Sequence, residues 1–405
     1  MTSQGHVLPE GWHFRRVGSV GSVLTGSTPP TAVRSFYGNA KMFAGPADLG
    51  GSKYVTRTGK RLSPSGFARS RKFPAGSTLF VCIGSTIGKV GIIMEEMTAN
   101  QQINAVIPGR DVNPQYLYYA LSTISERVKN RAGEQAVPLV NKSEFSEFEI
   151  LVPPLREQRA IADVLSNVDD LIGALGQLIA KKQAIKQGMM QQLLTGRTRF
   201  SGFISPWTEA ELQQVAVVDP ETLSAGTNPG AAIDYISLED VSRGTILRSS
   251  RLVFKDAPSR ARRVLRHLDV LFGTVRPNLQ SHAIYQKGLT RPIASTGFAV
   301  VRALSGSADP AFLFYLLMSR TATVQVDRII AGSNYPAISS TDVRKLRFIM
   351  PTLAEQSRIG LVLGDCDREI TALLERLDKA RAIKHGMMQE LLTGRTRLPI
   401  NKVAS

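Results

Sequence analysis

The sequence predicts a chain written twice: two globular units, each followed by a long helix, with the two helices packed antiparallel as a coiled coil. Three observations point there. First, "IKQGMMQQLLTGRTR" (185–199) returns 198 residues later as "IKHGMMQELLTGRTR" (383–397). Second, the match extends without a gap over 152–200 and 350–398, with 26 of 49 pairs identical; such repeats set the architecture. Third, both copies carry an apolar stripe at helical spacing.

In the first copy the stripe is Ile161, Val164, Leu165, Val168, Leu171, Ile172, Leu175, Leu178, Ile179 and Ile185. Pro153-Pro154 precedes it, at a place where proline starts a helix, and Gly196 follows where a glycine cap is expected. The second copy keeps Ile359, Val362, Leu363, Ile370, Leu373, Leu377 and Ile383. It puts Glu369 and Arg376 where the first has Leu171 and Leu178. About 40 residues at about 1.5 Å each make a rod of roughly 60 Å. A lone rod with an apolar stripe needs a partner, and the simplest is its own twin. The chain must return after each unit, which favours antiparallel pairing.

Gly188 and Gly386 sit near the ends of these helices, each followed by paired methionines, Met189-Met190 and Met387-Met388. A glycine inside a helix costs about 1 kcal/mol against alanine. Its repetition favours close helix approach or a docking surface over simple tolerance. The methionines suit a partner surface or an ordinary coiled-coil core, and both readings stand. Arg197, Arg199, Arg395 and Arg397 either complement helix-end carbonyls or touch a partner.

The segments before the repeated helices are alike only faintly. "PEGW" (9–12) echoes "PW" (206–207), and "NPQYLYYAL" (113–121) echoes "DPAFLFYLL" (309–317). The boundaries are therefore a first unit at 1–152, a helix at 153–200, a second unit at 201–350, a helix at 351–398 and a tail at 399–405.

The formal net charge of +17 points to a polyanionic partner, nucleic acid before membrane. From Lys53 to Lys89 there are eight basic residues and no acid; from Arg243 to Arg276 there are nine basic residues against Asp256 and Asp269. Arginine-rich clusters suit phosphate contacts, while a few Arg, Asn, Gln, Ser or Thr read base edges. In the first unit the candidate DNA contacts are Arg57, Lys60, Arg61, Arg69, Arg71 and Lys72. To these are added Ser85, Thr86 and Lys89 of "GSTIGK" and Gln101 and Gln102 of "NQQIN". In the second unit they are Arg243, Arg260, Arg262 and Arg263. The loops "TVRPNLQS" and "GSNY" add Arg276, Asn278 and Gln280, and Asn334 and Tyr335.

Several chemistries find no motif. "GSTIGKV" lacks P-loop spacing, since only three residues separate Gly84 from Gly88 and Val90 follows Lys89. No dinucleotide fingerprint, methyltransferase target-amine motif, nuclease carboxylate cluster or Ser/His/Asp arrangement is legible. The two cysteines, Cys82 and Cys366, read as small buried residues, and the five histidines show no metal spacing. Neither a signal-peptide core nor an apolar run of membrane length is present, so the expectation is a soluble, cytoplasmic chain.

"PPLREQRAIADVL" with "PTLAEQSRIGLVL", the paired "LLTGRTR" endings, "LPEGW", "DVLFGTVRPN" and "STGFAV" together resemble the specificity subunit of type I restriction–modification enzymes. The resemblance covers almost the whole chain. It implies an α+β fold, with two mixed α/β target recognition domains each reading one half of a split DNA target. It implies a coiled coil that sets the gap between the halves. It implies a chain with no catalysis and no cofactor of its own. The partners it implies are double-stranded DNA, two modification subunits that bind S-adenosylmethionine and methylate adenine, and restriction subunits that use ATP and Mg. A pseudo-two-fold repeat would then offer Gly188, Met189 and Met190, and Gly386, Met387 and Met388, as two equal docking ends. Rival readings are a stand-alone methyltransferase or nuclease with diverged motifs, and a coiled-coil scaffold with incidental basic patches.

Overall fold

A computed structural model describes residues 8–133, 138–224, 226–242, 244–286, 288–330 and 336–399. The chain divides into two compact units, Met1–Gly176 with Arg376–Ser405, and Gln177–Glu375. Each unit thus contains one globular segment, part of one long helix and the complementary part of the other.

In the first unit a five-stranded sheet runs in the order Gly21–Thr25, Ile103–Pro108, Thr78–Val81, Val90–Ile93, Tyr54–Val55. A four-stranded sheet follows the order Lys60–Leu62, Tyr37–Ala44, Met97–Ala99, Lys72–Phe73. Thr78–Val81 and Val90–Ile93 are buried throughout and, Thr78 aside, apolar. They read as continuous apolar runs because both faces of the sheet are covered. His13–Arg16 pairs antiparallel with Glu149–Val152, which leads into the first long helix.

The second unit repeats this plan. Ala216–Val218, Phe298–Ala303, Val270–Gly273 and His282–Ile284 form one sheet, and Ser250–Val253, Ala232–Ile236, Pro292–Ser295 and Ala261–Val264 another. Each unit has one parallel pairing in its second sheet, Phe43 with Thr98 and Tyr235 with Ile293. Thr208–Glu211 pairs with Arg347–Met350 just before the second long helix.

The two echoing segments become equivalent capped helices. Asn113 accepts the backbone N–H groups of Gln115 and Tyr116 at the start of Pro114–Thr123, and Asp309 accepts that of Phe312 at the start of Pro310–Leu317. A side-chain oxygen there satisfies donors that the helix leaves orphaned, and proline at the first position has no N–H to lose. These helices place Tyr116, Leu117 and Tyr119, or Phe312, Leu313 and Tyr315, in their unit's core.

The two long helices are Leu155–Leu193 and Leu353–Leu391, each 39 residues. Gly196 follows the first with φ +68° and Gly394 the second with φ +72°, the left-handed closure expected there. In each unit the helix segments run antiparallel. In the first, Asp169 meets Lys384 at 2.6 Å and Glu157 meets Arg397 at 2.7 Å. In the second, Lys182 meets Glu369 at 2.7 Å, Lys186 meets Asp367 at 2.5 Å and Arg199 meets Glu355 at 2.7 Å.

The stripe is narrower than its sequence pattern. Ile161, Leu165, Leu175 and Ile179 are buried, but Leu171, Leu178 and Ile185 are 49%, 39% and 45% exposed, and Ile383 of the second helix is 58% exposed. A two-helix seam encloses about two positions in seven, so the margin of a wider stripe stays outside. Glu369 fills the place of Leu171 with an ion pair to Lys182 instead.

Candidate nucleic-acid interface

The dipeptides Glu157-Gln158 and Glu355-Gln356, identical in the two copies of the repeat, hold each helix to its unit. Glu157 accepts from the Trp12 indole at 3.0 Å and from the Arg397 guanidinium at 3.2 and 2.7 Å. Glu355 accepts from Trp207 at 3.1 Å and from Arg199 at 2.9 and 2.7 Å. The two-pronged geometry is the strong form of such a pair. Arg199 and Arg397 each clamp a carboxylate on the other helix. Each clamp raises the pKa of its arginine through the hydrogen bond to the glutamate.

The following glutamines do a second task. Gln158 accepts from Asn113 N–H at 2.8 Å and donates to Pro153 O at 2.8 Å and Asp111 O at 3.1 Å. Gln356 accepts from Asp309 N–H at 3.0 Å and donates to Pro351 O at 2.9 Å. Each glutamine ties a long helix to the cap of a core helix. The identical "EQ" pairs signalled importance in the sequence, but not these partners.

A third pair of contacts is also duplicated. The Tyr119 hydroxyl donates to Asp169 at 2.6 Å and that of Tyr315 to Asp367 at 2.7 Å, each aspartate also holding a lysine. Only the first unit adds Lys53, which donates to Tyr119 at 2.9 Å and Ser166 at 2.6 Å. Burial lowers its pKa to about 8, against the opposing pull of Asp169 and Asp170. Lys53 therefore leaves the basic cluster and turns inward.

Gly188 and Gly386 have open space where a Cβ would stand, so close helix approach within this chain is not their reason. Met190 is buried in the second unit's core and Met189 packs against it; Met387 and Met388 pack against the first unit's core.

The remaining basic residues of the first cluster lie at the surface. Lys60 and Arg61 stand on the edge strand Lys60–Leu62, where Arg61 donates to Asn39 O at 2.9 Å. Arg69 lies over Phe36 at 5.4 Å and Lys72 over Phe67 at 5.3 Å, contacts that hold a cation while leaving it wet. Arg71 donates to Thr25 O, and Lys89 packs against Gly50. Arg57 is exposed. Among the described residues, none of these seven cations has an acidic partner. Ser85 is exposed and Thr86 half-buried in one turn. Gln101 is held by Thr28, and Gln102 accepts from Asn100 at 2.9 Å.

The second cluster is more tightly paired. Arg248, Arg251, Arg263 and Arg266 meet Asp240, Asp234, Asp219 and Glu221. Arg262 lies over Phe254 at 4.9 Å, and Arg260, Arg276 and Asn278 are exposed. Gln280 is half-buried. Arg243, Asn334 and Tyr335 lie outside the described residues. The sequence pattern could not separate paired from unpaired arginines, because their acidic partners are up to 45 residues away, as Glu221 is from Arg266.

Among the described residues no group of His, Cys, Asp or Glu could hold a metal ion, and no helix is long and apolar enough to cross a membrane.

The comparisons agree with this geometry. Over 96% of its length the chain is 23% identical to the type I restriction enzyme MjaVIII specificity subunit of Methanocaldococcus jannaschii, covering 94% of that protein. A 151-residue stretch is 30% identical to the HindI specificity subunit of Haemophilus influenzae, covering 36% of this chain and 33% of that one. In structure, the chain is similar to the type I restriction–modification S subunit from M. genitalium, with TM-score 0.63, 14% identity and 99% of both chains covered. A chain of a type I R–M system gives TM-score 0.56 at 18% identity, covering 97% and 100%. The type I restriction modification DNA specificity domain matches twice, at 9–187 and 205–383, and the chain belongs to that family.

Proposed function

We propose that this chain is the non-catalytic, DNA-reading subunit of a type I restriction–modification assembly, with the 1–152 and 201–350 segments each reading one half of a bipartite target. The helices at 153–200 and 351–398 set the unspecified spacer between the halves. S-adenosylmethionine belongs to two adenine-modifying subunits, and ATP and Mg to restriction subunits. The docking ends are Gly188, Met189 and Met190 in one copy and Gly386, Met387 and Met388 in the other. The open flanks at Gly188 and Gly386 suit an incoming partner, whereas Met190 contributes to this chain's own core.

One observation carries this reading: the two units share their framework and differ at their surface. The Trp–Glu–Arg clamp, the glutamine ties and the Tyr–Asp–Lys contact occur in both. The basic cluster is open in the first unit and largely paired in the second. A shared frame with different faces suits one partner type bound twice and two different base sequences read once each. Cations fix register on phosphates, and polar loop residues address bases.

The test is methylome mapping of strains carrying the assembled system. Exchanging 201–350 for the same span of a relative should change one half of the methylated motif and leave the other intact. Facing heptads inserted after Leu175 and after Leu377 keep the seam in phase and add roughly 10 Å of helix. They should widen the spacer by about three base pairs, less where DNA bends or twists to compensate. Both halves changing on exchange, or an unaltered spacer at full occupancy, would refute the respective part.

A further inference from the structure

Both units leave their central strand by the same backbone turn. In the first it links Thr78–Val81 to Val90–Ile93, and in the second Val270–Gly273 to His282–Ile284. Gly84 N–H donates to Pro138 O at 2.9 Å, and Arg276 N–H donates to Pro336 O at 2.7 Å. Cys82 exchanges backbone bonds with Gln102 and Val140 as Thr274 does with Gly297 and Ile338. Ile83 bridges Leu139 as Val275 bridges Ala337.

At two places this turn requires left-handed backbone. The first unit has glycine at both, Gly84 with φ +90° and Gly88 with φ +93°. The second unit has Arg276 with φ +48° and Gln280 with φ +52° in the equivalent places, flanking the short turn Pro277–Leu279. Glycine occupies such backbone without penalty, and a residue with a Cβ is strained there. Strain of this kind persists where the surroundings over-determine it, and it gathers at ligand-facing positions.

Among the described residues, neither Arg276 nor Gln280 makes a side-chain hydrogen bond or ion pair, although Arg248, Arg251, Arg263 and Arg266 all meet carboxylates. Leu268 shows the contrast. It is also left-handed, φ +69°, opposite Gly76 of the first unit, but its apolar side chain is half-buried. Arg276 is exposed, and Gln280, half-buried like Leu268, carries an amide that has no hydrogen-bond partner among the described residues.

We infer that Arg276 and Gln280 are specificity-determining residues of the second unit, reading base edges from a turn whose strain they impose. The inference rests on the proposed DNA-reading function and assigns it to two side chains. A guanidinium matches the O6 and N7 acceptors of guanine, and a carboxamide matches N7 and N6 of adenine. The half-site of this unit therefore contains a guanine addressed by Arg276 and an adenine addressed by Gln280.

The discriminating variants are Arg276→Gly and Gln280→Gly, with Arg276→Ala as control, in the assembled complex with its modification subunits. Methylation mapping of the wild-type complex defines the target. Binding is then measured to that target and to duplexes carrying one base change in either half. The glycine variants relieve the turn, so their Tm should hold or rise by about 2–4 °C. Their affinity for the intact target should fall roughly 5- to 150-fold, with loss of discrimination at one base of one half-site only. Arg276→Ala should lose the same discrimination without the gain in Tm. Glycine variants that keep full discrimination in both halves would overturn the inference while leaving the DNA-reading function standing. So would a fall in their Tm, which would make the side chains structural. A wild-type complex that fails to distinguish any duplex would instead defeat the DNA-reading function itself.

Discussion

Removing the buried amide of Gln356 should destabilise the second unit far more than its size suggests. The side chain is 2% exposed, accepts from Asp309 N–H at 3.0 Å, and donates to Pro351 O at 2.9 Å and Ser307 O at 3.4 Å. Gln356→Ala abolishes all three bonds and leaves a half-buried N–H and two carbonyls without that partner. Each net hydrogen bond contributes about 1 kcal/mol, and an unsatisfied buried group costs about 1–3 kcal/mol. The 3.4 Å bond is long and counts for little, so the expected loss is about 2–4 kcal/mol. For a unit of this size that is a drop of roughly 5–15 °C in Tm. Gln158→Ala should cost as much or slightly more in the first unit, because its three bonds are 2.8, 2.8 and 3.1 Å long. Gln183→Ala, exposed on the same helix as Gln158, is the control and should stay within about 0.5 kcal/mol. Urea and thermal melts followed by circular dichroism provide the measurement. If the two buried substitutions match the control, the ties between helix and core cap carry no energy and the argument fails.

Three further outcomes are expected. Arg199→Ala should lower Tm more than Arg397→Ala, because Arg199 is 24% exposed on a 1% exposed Glu355 while Arg397 is 49% exposed on a 9% exposed Glu157. Added salt should weaken only the more exposed clamp appreciably, which paired melts at low and high salt would show. Replacing Arg69, Arg71 and Lys72 by alanine should flatten the slope of log K for DNA against log salt by up to about 2.7, and an unchanged slope would place the phosphates elsewhere. His282 is buried against Phe272 and accepts from Gly273 N–H at 2.9 Å, and burial pulls its pKa down to about 4. Its folded pKa lies below its unfolded one, so the unfolded chain binds the extra proton first. Stability present above about pH 6.5 should then be lost as pH falls towards 4. In His282→Asn this limb of the stability curve should flatten; an unaltered limb would exonerate the histidine.

What the sequence by itself determined is what neighbouring residues decide. Helix period, the Pro153-Pro154 start and the cap at Gly196 depend on residues a few positions apart, so pattern and repeat revealed them. The duplicated plan was legible because two copies lie in one chain. Tertiary structure decided whatever depends on burial and distant partners. Glu157 meets Arg397 across 240 positions, and no local signal names that carboxylate's cation. Lys53 reads as one more surface charge until Tyr119 and Ser166 draw it inward. Leu171, Leu178 and Ile185 read as core until a two-helix seam proves too narrow to cover them. Arg276 and Gln280 read as loop residues like Gly84 and Gly88, and only the folded backbone, with φ positive at all four, shows that the two units meet one turn with different chemistry. Desolvation and hydrogen-bond partnership belong to three-dimensional neighbourhoods, which residue spacing along the chain does not encode.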